Sequence, residues 1–427
     1  MARYLFVNRY FYPDNSATSQ LLSDLAFALA RKGHDVTVVA SRDTYCGHAT
    51  SLAPRELVDG VRVQRVWTTR FGRRSMLGRA LDYASFYVFA LFALLRLAGH
   101  GQVVIAKTDP PLISVVVALC VWLRGGMQVN WLQDLFPEVG TQLQVPGARR
   151  LEGPLVALRD MSLRSARLNV VLGGRMRDKL LEHGIPAERV RVLPNWAESN
   201  VYPLAHEDNA LRAAWNFDRS RFVVGYSGNM GRAHDIETIV AAAIRLRGHD
   251  RIRFLFVGDG AKRALVERAV AEHGLANVEL RPYQHRDVLA SSLSVPDVHL
   301  VSLLPTLEGL IVPCKVYGAL AAGRAIVNLG DVDGEVARLL RESGAGSTCA
   351  SGDVDALCST LERMCEDGSA VAMGEAAHAY SHSFLQRDMA VQRWIRALAT
   401  VEHEHSADGG HGAPVATGEV LGAPLSN

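Results

Sequence analysis

At mid-chain the apolar run RFVV, residues 221–224, passes into GYSGNMGRAHDIETI, residues 225–239. The pattern predicts a strand that ends, a turn eased by Gly225, Gly228 and Gly231, and a helix that begins at Asp235. Turns of this kind hold anions, because free amides at a helix N-terminus point at the ligand and the helix dipole favours negative charge. Such a turn usually opens a domain near the N-terminus. Its place here requires that the preceding residues form a domain of their own.

The first half bears this out in pattern. YLFVNRYF ends at Pro13 as a buried strand, and DNSATSQ offers caps for a helix, LLSDLAFALARKG, that Gly33 stops. DVTVVAS, QVVIAKTDPP, MQVNWLQDLFPE, ARLNVVLGG and RVRVLPNWAES continue the strand theme. After a polar segment the theme restarts with RFVVGYSG, RIRFLFVGDG, NVELRPY, DVHLVSLL and AIVNLGD. Alternating strands and helices argue for parallel sheets with ligand groups at the strands' carboxyl ends. The expected fold class is α/β, two facing Rossmann-like doubly wound domains with a cleft between them. Residues 1–197 are expected to present an acceptor and residues 198–385 a donor. A helix is expected over 386–403, with the Gly-, Ala-, Pro- and His-rich residues 404–427 disordered.

Composition narrows the function. A chain of 427 residues carries a formal charge of only +2, so nucleic acid is not an expected partner and any electrostatic partner must meet a local patch. The six cysteines lack the spacing of a zinc knuckle or redox pair, which suits a reducing cytosol. The N-terminus MARYLFVNRYFYP enters a strand directly, without a signal-peptide cleavage pattern.

Three stretches carry candidate chemistry. In the mid-chain turn, Gly228, Asn229 and Gly231 are expected at a phosphate, with Arg232 able to grip a diphosphate through both nitrogens of its fork. The glycines lack the G-x-G-x-x-G spacing of dinucleotide-binding enzymes, which disfavours a dehydrogenase. VGDGAKRALVE, residues 257–267, is a second glycine turn in which Gly258, Asp259 and Gly260 are expected to line the same cleft. In TLEGLIVPCKVYGALAAGRAIV, residues 306–327, Pro313 starts a helix and Gly323 ends it. Lys315 falls in the first helical turn, where a cation gains nothing from the dipole and an anionic partner would account for it.

These motifs resemble a family. GDG, PCKVYGALAAGRAIV and LPNWAES look like family 4 glycosyltransferases of the GT-B fold, and YPDNSATSQLLSDLAFALARKGHDVTVV with WLQDLFPE looks like the WbuB-type and colanic-acid-type enzymes of bacterial surface polysaccharide synthesis. The resemblance spans about residues 1–400 and implies transfer of a sugar from a nucleotide-diphosphate donor, with retention at the anomeric carbon, to an acceptor that is often a lipid-linked saccharide. It implies no cofactor and no metal. It also shows departures: Gly318 and Leu310 stand where relatives keep a Glu-x7-Glu pair, Gln133 where a histidine is common, and Asn229 and His234 where an Arg and a Lys are usual.

Loss of the diphosphate builds negative charge on the leaving group, which preorganised cations and amides stabilise. Arg232 and Lys315 are the expected cations, helped by amides at Gly309, Leu310 and Ile311. Glu308 is expected to hold the donor sugar's hydroxyls, and Asp134 and Glu138 to position the acceptor. No carboxylate offers itself as a nucleophile, which favours attack from the leaving group's own face. Two other readings share the fold: a nucleotide-sugar epimerase, and a silent nucleotide-sugar-binding subunit.

Residues 70–99 add a location. Arg70, Arg73, Arg74 and Arg79 precede an uncharged run from Ala84 to Leu95 containing Phe86, Tyr87, Phe89 and Phe92. That run is shorter than a bilayer requires, but a basic, aromatic helix can lie among headgroups. The expected location is cytoplasmic, possible as a peripheral protein on an anionic membrane surface.

Overall fold

The computed structural model describes residues 1–14, 16–44, 52–72 and 76–408. The chain forms two parallel-sheet layers flanked by helices. The first sheet runs through β1 (Arg3–Val7), β2 (Asp35–Ser41), β3 (Arg55–Val58), β4 (Val61–Val66), β5 (Val103–Lys107), β6 (Met127–Trp131), β7 (Leu168–Val171) and β8 (Val190–Val192). Its spatial order is β3-β4-β2-β1-β5-β6-β7-β8, parallel except for the antiparallel β3–β4 pair. That pair went unread in the sequence, although Asp59-Gly60, both at positive φ, is a strong two-residue hairpin signal. The helices of this half are α1 (Ala17–Arg31), α2 (Met76–Leu97), α3 (Ile113–Arg124), α4 (Glu138–Gln142), α5 (Ala148–Ser165) and α6 (Gly174–Glu182).

The second sheet contains β9 (Phe222–Ser227), β10 (Ile252–Val257), β11 (Val278–Arg281), β12 (Val298–Ser302), β13 (Ala325–Gly330) and β14 (Gly346–Ala350), in the order β11-β10-β9-β12-β13-β14 and wholly parallel. Its helices are α7 (Ala210–Ala214), α8 (Ile236–Arg245), α9 (Arg263–His273), α10 (Leu289–Leu293), α11 (Lys315–Ala321), α12 (Glu335–Ser343), α13 (Val354–Asp367) and α14 (Ser369–Phe384). In both sheets the strand order reverses beside the first strand, β1 or β9, the place where open α/β sheets leave a crevice at their carboxyl ends.

A last helix, α15 (Arg387–Asp408), returns to the first domain. Ala390, Val391, Trp394, Leu398 and Val401 are buried in the same core as Tyr4, Phe6, Leu22 and Trp131. The Trp394 and Trp131 rings lie 4.4 Å apart, and Trp196 stacks on Trp131 from the other side at 6.0 Å. Each aromatic buried in this way contributes on the order of 2–3 kcal/mol of apolar burial. Residues 404–408, expected to be disordered, continue this helix instead; the rest of the tail lies outside the described residues.

α2 is amphipathic in a particular way. Phe86, Ala90 and Leu94 recur every four residues and are fully buried against the sheet. Val88, Phe89 and Phe92 face outward. Of the four aromatics expected at a membrane, Phe86 is therefore a core residue, and Tyr87 turns its hydroxyl to the Pro111 carbonyl. Arg73 and Arg74 lie outside the described residues.

Candidate active site

The mid-chain turn is built against its neighbour. The Gly228 amide donates to Val257 (2.8 Å), the Met230 amide to Asp259 (2.7 Å) and the Lys262 amide to Met230 (2.9 Å). A Cβ added at Gly258, which has a φ of 137°, would stand 2.2 Å from the Gly228 carbonyl oxygen. One at Gly260 would stand 2.5 Å from Asn229 Oδ1. The second glycine turn thus buttresses the first, and the Asp259 carboxylate accepts from the Gly260 amide. Asp235 caps α8 by accepting from the Thr238 amide at 3.0 Å, where the sequence placed the helix start.

Lys315 lies over this turn. A Cβ on Gly228 would meet its Cε at 3.0 Å, and its Nζ sits 5.2 Å from the Tyr226 ring centre. The ammonium donates to His234 Nε2 at 2.9 Å, while His234 Nδ1 faces the Ser302 carbonyl oxygen at 2.5 Å. A carbonyl can only accept, so Nδ1 carries the proton and Nε2 the free lone pair. Burial and the adjacent Lys315 charge push the imidazole pKa down to about 3, leaving it neutral. Burial lowers Lys315 to about 8. His234, to which the sequence assigns no role of its own, is what holds this ammonium.

The first domain meets α11 directly. Gln133 and Asn195 exchange amide hydrogen bonds (3.2 and 2.8 Å), and Asn195 Nδ2 also donates to Cys314 Sγ at 3.3 Å. Asp134, just past β6, pairs with Ile311 in an antiparallel bridge. Burial, helped by the Asp109 carboxylate, raises Asp134 to about 6. Asp134 also acts electrostatically on Cys314, so it and Lys315 approach the same cleft from opposite domains. Beneath them Lys107 is fully buried with its Nζ 3.3 Å from the Trp131 ring centre, and burial drives its pKa well below the ordinary lysine range.

Other candidates have different surroundings. The Glu308 carboxylate accepts from the Glu335 amide (2.8 Å) and so caps α12; burial raises its pKa. The Leu310 and Ile311 amides, expected at the diphosphate, both donate to the Leu307 carbonyl. Leu310 is buried with Leu132, Leu135, Met176 and Leu180 of the first domain, and its carbonyl accepts from the Leu135 amide at 2.9 Å. Gly309, at a φ of 75°, lets the loop approach α6: a Cβ would lie 3.2 Å from both the Arg175 carbonyl and Lys179 Cγ. Glu335 in turn accepts from the Arg175 amide at 3.0 Å, so one carboxylate serves each domain at this seam. Arg232 is exposed and donates to the Leu143 carbonyl at the end of α4, another crossing of the seam. Glu138, expected to position the acceptor, is engaged within its own domain. Both its oxygens accept from Arg159 at 2.6 Å within a buried network that includes Asp160 and His183.

Comparison with known proteins identifies the family. Residues 18–196 match the glycosyl transferase 4-like domain, and residues 221–367 match glycosyl transferases group 1. The chain is 30% identical over 308 residues to a Pseudomonas aeruginosa protein named as a glycosyltransferase, WbjE, spanning 70% of this chain and 74% of that one. It belongs to family 4 of the GT-B glycosyltransferases, in the group that serves bacterial polysaccharide synthesis. An Escherichia coli K12 relative named for colanic acid biosynthesis, the glycosyl transferase WcaI, is 28% identical over 82% of this chain and 89% of its own. The GT-B fold is shared with sucrose-phosphate synthase from Thermosynechococcus elongatus (TM-score 0.74, 16% identity, 95% of this chain and all of that one). It is shared also with Anabaena HepE in complex with UDP-glucose (TM-score 0.68, 16% identity, 94% of this chain and all of that one). Within this glycosyltransferase, Gly318 lies inside α11, and a Cβ there would meet only Leu293 Cδ1, at 3.2 Å. That contact is tight, so a side chain at 318 would require Leu293 to give by a few tenths of an ångström.

Proposed function

We propose that the enzyme transfers a sugar, with retention, from a nucleoside-diphosphate donor to a lipid-linked saccharide at the inner face of the cytoplasmic membrane. The observation that carries this reading is the Lys315 ammonium, fixed by neutral His234 over the first glycine turn, with Cys314 beside it feeling both Lys315 and, from the other domain, Asp134. HepE, which shares the fold, was solved with UDP-glucose, and that supports a nucleotide-sugar donor here.

In this mechanism the donor diphosphate lies along Gly228–Gly231 with Lys315 at its leaving oxygen. Arg232 releases the Leu143 carbonyl when the donor arrives and becomes the second cation. The site is preorganised, since His234 holds the ammonium before the charge develops. Asp134, ionised, accepts from the attacking acceptor hydroxyl and orients it on the donor's leaving face. The leaving diphosphate takes the proton. These groups carry the charge without calling for a metal.

Incubating the purified chain with a panel of nucleotide-sugars tests the reading. One donor is expected to stabilise the protein thermally and to release its nucleoside diphosphate slowly in water, faster with acceptor. NMR of the product is expected to show the donor's anomeric configuration. Stabilisation with no turnover under any condition would instead make the chain a silent binding subunit.

A further inference from the structure

At the carboxyl ends of β2 and β4 a cavity of about 460 Å³ is lined by Arg42, Trp67, Thr68, Thr69, Arg70 and Phe71. Its wall is a built loop. Asp82 of α2 accepts from the amides of Phe71 and Gly72, both at 3.0 Å, and from the Thr69 hydroxyl at 2.7 Å. The Ser85 hydroxyl accepts from the Thr69 amide at 3.0 Å. Three guanidiniums converge here on two carboxylates. Arg70 pairs with Asp43 at 3.1 Å and Arg9 approaches Asp82 at 3.6 Å. Arg42 is half-buried, and its Nε is buried without a hydrogen-bond partner among the described residues.

The other wall is apolar and leads away from the cleft. Trp67 is 51% exposed and Phe71 62%, although both flank a loop pinned by hydrogen bonds. Trp67 meets Phe89 of α2 edge-on at 5.4 Å, and from Phe89 the exposed stripe continues through Val88 and Phe92. A pocket lined by two guanidiniums, one with an unpartnered Nε, and by two exposed aromatic rings matches a ligand that is anionic at one end and aliphatic at the other.

We propose that this pocket holds the phosphate-bearing end of a lipid-linked acceptor, with the diphosphate against Arg42 and Arg70 and the first aliphatic units across Trp67 and Phe71. This rests on the lipid-linked reading above. It lies at the strand ends of the acceptor domain, so a lipid held there leaves its saccharide at the cleft that Asp134 borders, with its tail along the outward face of α2.

Calorimetric titration of the full chain with farnesyl diphosphate tests the assignment. The expected result is saturable binding that Arg42→Ala and Trp67→Ala each weaken by roughly tenfold, as loss of one charged hydrogen bond or one buried aromatic contact does. Arg42→Lys is expected to retain part of the affinity. Melting temperatures within error of the parent confirm that the variants fold, and uridine diphosphate affinity stays unchanged. Inorganic pyrophosphate and farnesol alone are expected to bind much more weakly. Equal affinity for pyrophosphate would reduce the pocket to an anion site, and equal competition by short-chain phosphatidylglycerol would make it a bilayer headgroup site; either overturns the proposal. So does binding that is insensitive to both substitutions or displaced by uridine diphosphate. If the chain hydrolyses a nucleotide-sugar yet ignores farnesyl diphosphate, the pocket assignment fails and the transferase reading stands. If it binds the lipid through Arg42 and processes no donor, the reverse holds.

Discussion

The Lys315 ammonium donates to a histidine, His234, whose other nitrogen is fixed by the Ser302 carbonyl, so the cation is held by a neutral acceptor instead of a carboxylate. A carboxylate would have neutralised its charge. A neutral imidazole orients it and leaves it whole.

The pairing predicts a basic limb in the pH profile. With burial setting Lys315 near 8, kcat/KM of the free enzyme is expected to fall as pH rises through that value, because the amine then loses its charge. Lys315→Ala is expected to cost on the order of 10²-fold in turnover and to abolish the limb. A limb that survives the substitution would show that another group titrates there.

Asp134 predicts the opposite limb and a stability effect of known sign. Its folded pKa of about 6 lies above the ordinary carboxyl value, so folding binds the proton more tightly than unfolding does. Stability from this group is present below the unfolded pKa and lost as pH rises through about 6. Asp134→Asn is therefore expected to raise Tm at pH 7 and leave it nearly unchanged at pH 4, while lowering turnover and removing the acid limb. Thermal melts at the two pH values check it; equal shifts at both would place Asp134 outside this account.

Arg232→Ala is expected to leave Tm nearly unchanged, since an exposed guanidinium bonded to one carbonyl contributes little to folding. Turnover is expected to fall by on the order of 10²-fold. A normal rate would confine Arg232 to its contact with Leu143.

Gly258→Ala is expected to destabilise by on the order of 3 kcal/mol or more and to weaken donor binding together with folding. The new methyl would overlap the Gly228 carbonyl in a backbone conformation that L-residues avoid. Denaturant titration reads the stability loss; a variant as stable as its parent would mean the two turns are not locked together.

Vesicle flotation addresses location. The chain is expected to float with anionic vesicles at low salt and to sink at high salt, as arginine contacts near the surface contribute about 1 kcal/mol each and are screened. Phe89→Glu with Phe92→Glu, on the outward face of α2, is expected to sink at both, as is Arg73→Glu with Arg74→Glu. Failure of the parent chain to float would leave α2 as a surface helix and favour a soluble acceptor.

The two sheets, the glycine turns and the helix after Asp235 were legible because each rests on local pattern: apolar runs, cap residues and turn glycines. Lys315 was singled out by its position at a helix start, and the structure places it at the cleft. What one element does to a distant one was not legible. Glu308 and Glu335 cap helices across loops and across domains, and nothing near either residue announces it. Asn195 reads as part of a boundary motif, yet its amide joins Gln133 to Cys314 over a long sequence separation. The imidazole support for Lys315 was not legible, because it required knowing that Ser302 ends a neighbouring strand.

The return of α15 to the first domain means that two segments join the halves, one after β8 and one before Arg387. Trp196 donates to Asp24 at 2.9 Å on the outward segment, and Arg387 reaches the same carboxylate at 3.9 Å on the return. A body held at two adjacent points can swing about the line through them but cannot twist freely, so a single axis is expected to govern how the donor half moves over the acceptor. Cutting the chain before Arg387 would remove one of the two pivots and strip the cover from Trp131. Such a truncation is expected to release an unguided lobe, not a smaller enzyme.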